Sequence, residues 1–280
     1  MNIPWKLKSR LFSMVDRFKL SSAMYLAQKF ISGRSKSEGT SVNRRWKQHQ
    51  EVINSLDAPL IAFEFGAGKT LAQNIYLSEF VSRQIVVDLN FMLDLQLCEA
   101  TRSNLVANHL IKSGERIFAT KDLLNYGIEY EAPSDASDTN LNDNSIDICI
   151  STATLEHIPV EEIGNILVEL HRIIKLGGIV SAVIDYSDHY WHTDRSISPL
   201  NFLKYSENEW SRYNHSCHYQ NRLRHADYIR IFMNNGFELI KAELDFYDGN
   251  IHPQIISKYQ SAEPSWSALA SHCVFKKVTF

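Results

Sequence analysis

The chain has 280 residues, 44 % of them apolar and 22 % charged, with a net charge of −3. That is enough for one large domain, or a domain with an added cap, of ordinary globular composition and without the basic excess of a general nucleic-acid binder. Cys98, Cys149, Cys217 and Cys273 lie far apart with no C-x-x-C pair, which argues against a zinc knuckle or a disulfide framework and for reduced thiols in the cytoplasm; no apolar run is long enough to span a bilayer.

The first 36 residues carry Lys6, Lys8, Arg10, Arg17, Lys19, Lys29, Arg34 and Lys36 against a single acid, Asp16. Charged residues interrupt every apolar stretch up to Phe30, so this segment does not read as a signal peptide. Leu11, Met14, Val15 and Phe18 fall at helical spacing, which predicts a basic amphipathic helix, either packed on the domain or in peripheral contact with an anionic membrane surface. Ser32 to Thr40 reads as a linker. The expected organisation is an extension over residues 1–40 and a single domain over 41–280.

From about residue 58 strands and helices alternate. Pro59 to Phe65 reads as a buried strand, Gly68 to Val81 as a helix, Gln84 to Asp88 as a strand and Phe91 to Ile111 as a long helix. Ile128 to Glu131 and Ile146 to Ser151 are further strands. Ile163, Ile166, Leu167, Leu170 and Ile174 make one apolar face of a helix from Val160 to Ile174, which Gly177 and Gly178 are expected to cap. Ile179 to Asp185 is a fifth strand. Residues 187–225 break the pattern and are polar and aromatic. A helix from Tyr228 to Asn235 and strands over Phe237 to Phe246 and His272 to Val278 complete the series. The alternation implies a mostly parallel sheet of seven strands with helices on both faces.

In such a sheet ligands bind outside the carboxyl ends of the strands. Those ends hold Glu64-Phe65-Gly66-Ala67-Gly68, then Asp88-Leu89, Asp135-Ala136, Ser151-Thr152 and Asp185-Tyr186-Ser187. Glycines at alternate positions let backbone N–H groups approach a polar ligand. Asp88 ends the next strand, where a nucleoside ribose is gripped through its hydroxyls. Asn90 is expected to cap the following helix, which leaves Asp88 free for ligand.

Together these segments resemble a class I S-adenosylmethionine-dependent methyltransferase with its Rossmann-like domain. Glu64 to Thr70 resembles that family's E-x-G-x-G-x-G loop, with Thr70 at the third glycine. Asp88 matches its ribose-binding acid and Asp135-Ala136 its adenine-contacting pair. Ser145 to Ser151 with Leu155-Glu156-His157-Ile158-Pro159 resembles its fourth-strand region. Leu170 to Gly178 resembles R-x-L-K-P-G-G, with Leu176 at the proline. The resemblance implies S-adenosylmethionine as cofactor, bound by Glu64, Phe65, Gly66, Ala67, Gly68, Asp88, Leu89, Asp135, Ala136, Ser151 and Thr152, with Glu64 orienting its amino group.

The reacting methyl should then face the segment after Asp185. His189 and His192 are candidate bases, with Asp185 or Asp188 as orienting carboxylate; Tyr190, Trp191 and Arg222 are candidate acceptor contacts. Acids and histidines alternate here, but their spacing fits no specific metal pattern, so no metal is expected. The acceptor is expected to be a polar small molecule or a glycan-type hydroxyl, and no nucleic acid. A P-loop nucleotide hydrolase is disfavoured because Phe63 stands where that loop needs its first glycine, and a dinucleotide oxidoreductase because Leu71 replaces the third glycine of G-x-G-x-x-G. A non-catalytic scaffold with the same fold is the remaining alternative.

Overall fold

The computed structural model describes residues 3–18, 38–112, 114–259 and 262–279. The rest of the expected basic segment and most of the expected linker, residues 19–37, lie outside the described residues. Among the described residues no helix is long and apolar enough to cross a membrane.

Seven strands form one sheet: β1 Ile61–Phe65, β2 Arg83–Val87, β3 Ile128–Glu131, β4 Ile146–Thr152, β5 Ile174–Asp185, β6 Phe237–Phe246 and β7 Ala268–Lys277, in the order β3-β2-β1-β4-β5-β7-β6. The first five pair in parallel, and β7 runs antiparallel to both β5 and β6. The strand order reverses between β1 and β4, the switch point at which open α/β sheets bind ligands.

Period-two alternation divides the core between the two faces. Ala62, Val86, Ile148, Ile150 and Val274 pack on one face. Phe63, Phe65, Ile85, Val87, Cys149, Val180, Ala182 and Phe275 pack on the other. Each fully buried side chain of this size contributes about 1.5–3 kcal/mol, so both faces need covering helices.

The described α-helices are α1 Trp5–Arg17, α2 Arg44–Ile53, α3 Ala72–Leu77, α4 Leu95–Ala107, α5 Val160–Ile173, α6 Glu207–Trp210, α7 His225–Asn234 and α8 Pro253–Tyr259. α2 was not legible in the sequence; the Asn43 side chain caps it by accepting from the Trp46 N–H. Several expected details differ. Leu71 is left-handed at φ 45°, so α3 starts after it and Thr70 lies outside the helix. α4 starts four residues late because Asp94, not Asn90, is its cap. α5 ends at Ile173, and Gly177 and Gly178 belong to β5 rather than to a helix cap. A Cβ at Gly178 would lie 2.9 Å from the Asp147 carbonyl, which explains the glycine there. β7 begins at Ala268, earlier than His272.

Residues 187–225 and α1 build a third, aromatic cluster of Trp5, Phe12, Tyr190, Phe202 and Trp210. α1 therefore packs through Trp5 and Phe12, while the expected face keeps Leu11, Met14 and Phe18 exposed.

Candidate active site

The loop after β1 is shaped by two left-handed glycines, Gly66 at φ 74° and Gly68 at φ 78°. The Gly66 N–H donates to the Val87 carbonyl at 2.9 Å, tying the loop to the end of β2. A Cβ at Gly66 would collide with the Thr154 methyl and lie 2.9 Å from its hydroxyl, whereas one at Gly68 would meet nothing within 4 Å. One glycine is demanded by a close neighbour and the other opens the backbone to free space.

Asp88 ends β2 and is 4 % exposed. Its Oδ2 accepts from the Tyr130 hydroxyl at 2.9 Å. Burial raises its pKa, against the pull of the hydrogen bonds from Tyr130 and the Gly68 N–H. Beside it a cleft of about 510 Å³ is lined by Phe65, Gly66, Leu89, Asp135, Ala136 and Thr154 among others. Asp135 Oδ1 accepts from both the N–H and the hydroxyl of Ser137, which folds its loop back on the cleft.

A second cavity, of about 460 Å³, lies over the ends of β4 and β5. Glu156, Asp185, His189, His192 and His218 line it, with Lys8 of α1 on its rim. His157 lines both spaces, so the two adjoin. Asp185 holds one carboxylate oxygen against the Ser187 N–H and hydroxyl. Its other oxygen lies 3.6 Å from His192 Nε2 and 4.0 Å from His189 Nε2. Despite the opposing effect of burial, these partners hold its pKa well below the usual carboxylate range. Burial and the neighbouring His157 press the His189 pKa down to about 3.

Several expected site residues have other partners. Glu64 is buried and its oxygens accept from Gln73 Nε2 at 3.0 Å and Asn74 Nδ2 at 2.7 Å, so it anchors the start of α3. Ser151 is fully buried, and Thr152 donates to Gln73 at 3.0 Å. Neither is among the residues that line the cleft, nor are Glu64, Ala67, Gly68 and Asp88; Thr154 is. Tyr190 is packed against Trp5 and donates its hydroxyl to the Tyr213 carbonyl. Arg222 is not a free anion clamp: it donates to the Phe202 and Tyr205 carbonyls and pairs with Glu207. Trp191 stacks with the Arg195 guanidinium, 3.6 Å away. The pattern misled because arginine and tyrosine pin an irregular insertion as readily as they bind ligand.

A polar row across the α2 face of the sheet was not anticipated. His49 of α2 bonds Thr152 through Nε2 at 2.9 Å and Ser181 through Nδ1 at 2.8 Å; Ser181 also meets His272 Nε2 at 2.9 Å. Because the Thr152 proton goes to Gln73, His49 must donate from Nε2 and accept at Nδ1. Ser181 then donates to His49 and accepts from His272. Donors thus point one way, from His272 through Ser181, His49, Thr152 and Gln73 to Glu64. Polar residues at inward positions of otherwise apolar strands, Glu64, Ser181 and His272, were the available signal.

The family model for the methyltransferase domain matches residues 64–182, the segment from the glycine loop into β5. The match spans less than half of the chain, and the seven-strand order supplies the frame on which the matched segment lies. Solved structures with the same fold include an S-adenosylmethionine-dependent methyltransferase from Methanosarcina mazei, 14 % identical, covering 82 % of this chain and 98 % of that one at a TM-score of 0.50. The YcgJ protein of Bacillus subtilis is 13 % identical, with coverages of 84 % and 99 % and a TM-score of 0.50. The 1,6-didemethyltoxoflavin-N1-methyltransferase of Burkholderia thailandensis, solved with that substrate and S-adenosylhomocysteine, is 11 % identical, with coverages of 94 % and 90 % and a TM-score of 0.52. No curated protein matches the sequence.

Proposed function

We propose that this methyltransferase moves a methyl group from S-adenosylmethionine to an oxygen of a polar small molecule or glycan-type acceptor. The observation that carries the reading is the pair of adjoining cavities at the switch point, one apolar and glycine-rimmed, the other lined with acids and histidines. The first supports the cofactor reading: Phe65, Gly66, Leu89, Asp135 and Ala136 line it, and Asp88 stands between the lining residues Val87 and Leu89.

In this reading Phe65, Gly66, Ala67 and Gly68 hold the methionine portion through backbone groups. Asp88 and Leu89 hold the ribose, and Asp135 and Ala136 the adenine. Thr154 takes the place expected of Ser151 and Thr152. Glu64 acts on the loop through Gln73 and Asn74. The cofactor supplies an electrophilic methyl on a sulfonium, so the chain's task is alignment. Holding the acceptor oxygen in line with the methyl converts a bimolecular encounter into an oriented one.

A hydroxyl acceptor must also lose a proton. Asp185 and His192 suit that task, with Asp185 Oδ2 close to one ring nitrogen and the other ring nitrogen left to accept. His189, the other candidate, is a weaker base because burial presses its pKa to about 3. The exposed stripe of Leu7, Leu11, Met14 and Phe18, flanked by Lys6, Arg10 and Arg17, supports peripheral contact of α1 with an anionic membrane surface.

The test is methyl-labelled S-adenosylmethionine offered to fractionated lysate, with lipid, glycan and small-molecule pools separated. Label in a glycan or small-molecule pool supports the proposal. Label only in protein or nucleic acid overturns it, and cofactor binding with no transfer to any pool favours the scaffold reading.

A further inference from the structure

The fold brings Glu156, His157 and His189 together from two separate segments. One ligating atom from each lies within 4.8 Å of the others. Glu156 follows β4 and is 1 % exposed, yet its carboxylate oxygens make no well-formed hydrogen bond, only weak approaches to its own N–H and that of Asp185. His189 Nε2 is also buried without a hydrogen-bond partner. Two such groups so close together are costly to bury unless something satisfies them. His157 is oriented differently: its Nδ1 donates to the Tyr219 carbonyl at 2.9 Å, which fixes the tautomer and leaves Nε2 with a free lone pair. A ring nitrogen tied to a backbone carbonyl is how proteins prepare the opposite nitrogen for a metal.

We infer that Glu156, His157 and His189 form a divalent transition-metal site in the wall of the second cavity. Two imidazoles and one carboxylate are a borderline donor set, suited to zinc, cobalt or iron(II) rather than to magnesium or calcium. Three protein ligands leave positions open toward the cavity, as in catalytic rather than structural sites. Ligand atoms sharing one zinc stand about 3.4 Å apart at bond lengths of about 2.0–2.1 Å, so the triad closes by roughly an ångström on binding. Burial pushes the Glu156 carboxyl up to about 8, which a cation beside it would reverse.

The role is argued on the methyltransferase reading. A metal there would hold an acceptor bearing adjacent oxygens, a catechol, hydroxy acid or vicinal diol, beside the Asp185–His192 pair. Asp185 and His192 form a second such group with the same His189. The sequence concealed the triad because Glu156-His157 and His189 are more than 30 positions apart and match no spacing motif.

The test uses the full chain, stripped with chelator and dialysed. Cobalt(II) is titrated with visible absorption as readout, and zinc by calorimetry. One equivalent should bind, with cobalt d–d bands of low-symmetry coordination. His189→Ala and Glu156→Gln should each weaken zinc at least tenfold, while Asp88→Ala should not change it. Far-ultraviolet circular dichroism checks folding, and Glu156→Gln preserves shape should His189→Ala fail to fold. No stoichiometric binding, or binding unaltered in both variants, overturns the site. Titrating S-adenosylmethionine into the same samples keeps the two claims apart, since a wild type that binds cofactor but no metal refutes the site alone.

Discussion

His49 sits in the centre of a hydrogen-bond chain that works only with a neutral imidazole. It is fully buried, and burial, with His272 and Arg45 nearby, presses its pKa from 6.5 down to about 3. Between those values the unfolded chain binds a proton that the folded chain refuses. Stability is therefore complete above pH 6.5 and falls as pH drops toward 3. At one unit below the unfolded value the loss from this group is about 1.4 kcal/mol, and over the whole interval roughly 5 kcal/mol. That is a large share of the ~5–15 kcal/mol stability of a domain. His272, pressed down to about 4, adds in the same direction. Glu64 and Glu156 oppose it: burial raises them to about 7 and about 8, so their contribution is full below 4.5 and disappears as pH rises through those values. His49→Gln isolates the histidine, because the amide can donate to Thr152 and accept from Ser181 but cannot titrate. Urea unfolding at pH 7.5 and 5.5 should show the wild type losing about 1.4 kcal/mol more than the variant. Parallel losses would refute the neutral, buried assignment of His49.

Further outcomes follow from the cleft and its neighbours. Asp88→Ala should weaken S-adenosylmethionine about tenfold to a hundredfold by calorimetry, the loss of one or two charge-assisted hydrogen bonds; unchanged affinity would refute the ribose assignment. Gly66→Ala should cost about 1–2 kcal/mol of stability from its positive φ and its collision with Thr154, and adding Thr154→Ala should recover part of it; equal melting temperatures for Gly66→Ala and wild type would contradict this. His192→Gln should lower kcat at least a hundredfold with little change in cofactor affinity, and a wild-type kcat would remove His192 as the base. Sedimentation with phosphatidylserine-rich vesicles should fall when Leu11 and Met14 are replaced by Glu; equal sedimentation would show that the exposed face of α1 does not engage lipid.

Much of the fold was legible because a parallel sheet covered on both faces writes itself as short apolar runs ending in glycine or acid. The runs ending at Glu64, Asp88 and Asp185 are of this kind, and the one ending at Ser151 stops at a small polar residue instead. Element ends were less legible, since competing caps are separated by tertiary detail: Asp94 rather than Asn90 caps α4, and Leu71 adopts a left-handed conformation no pattern announces. Five residues that local motifs picked out, Phe65, Gly66, Leu89, Asp135 and Ala136, line the cleft. The cavity side did not, because Arg222 and Tyr190 are spent on the insertion's own backbone, while Glu156 and His189 meet only through folding. His49 was missed for the same reason, its partners lying on β4, β5 and β7.

The most direct test of the account is isothermal titration of S-adenosylmethionine into wild type and Asp88→Ala, with ATP and magnesium as the competing ligand. The account predicts one-to-one binding of S-adenosylmethionine to the wild type, a marked loss in the variant, and no heat from ATP with magnesium. Binding of ATP with magnesium and not of S-adenosylmethionine would contradict it.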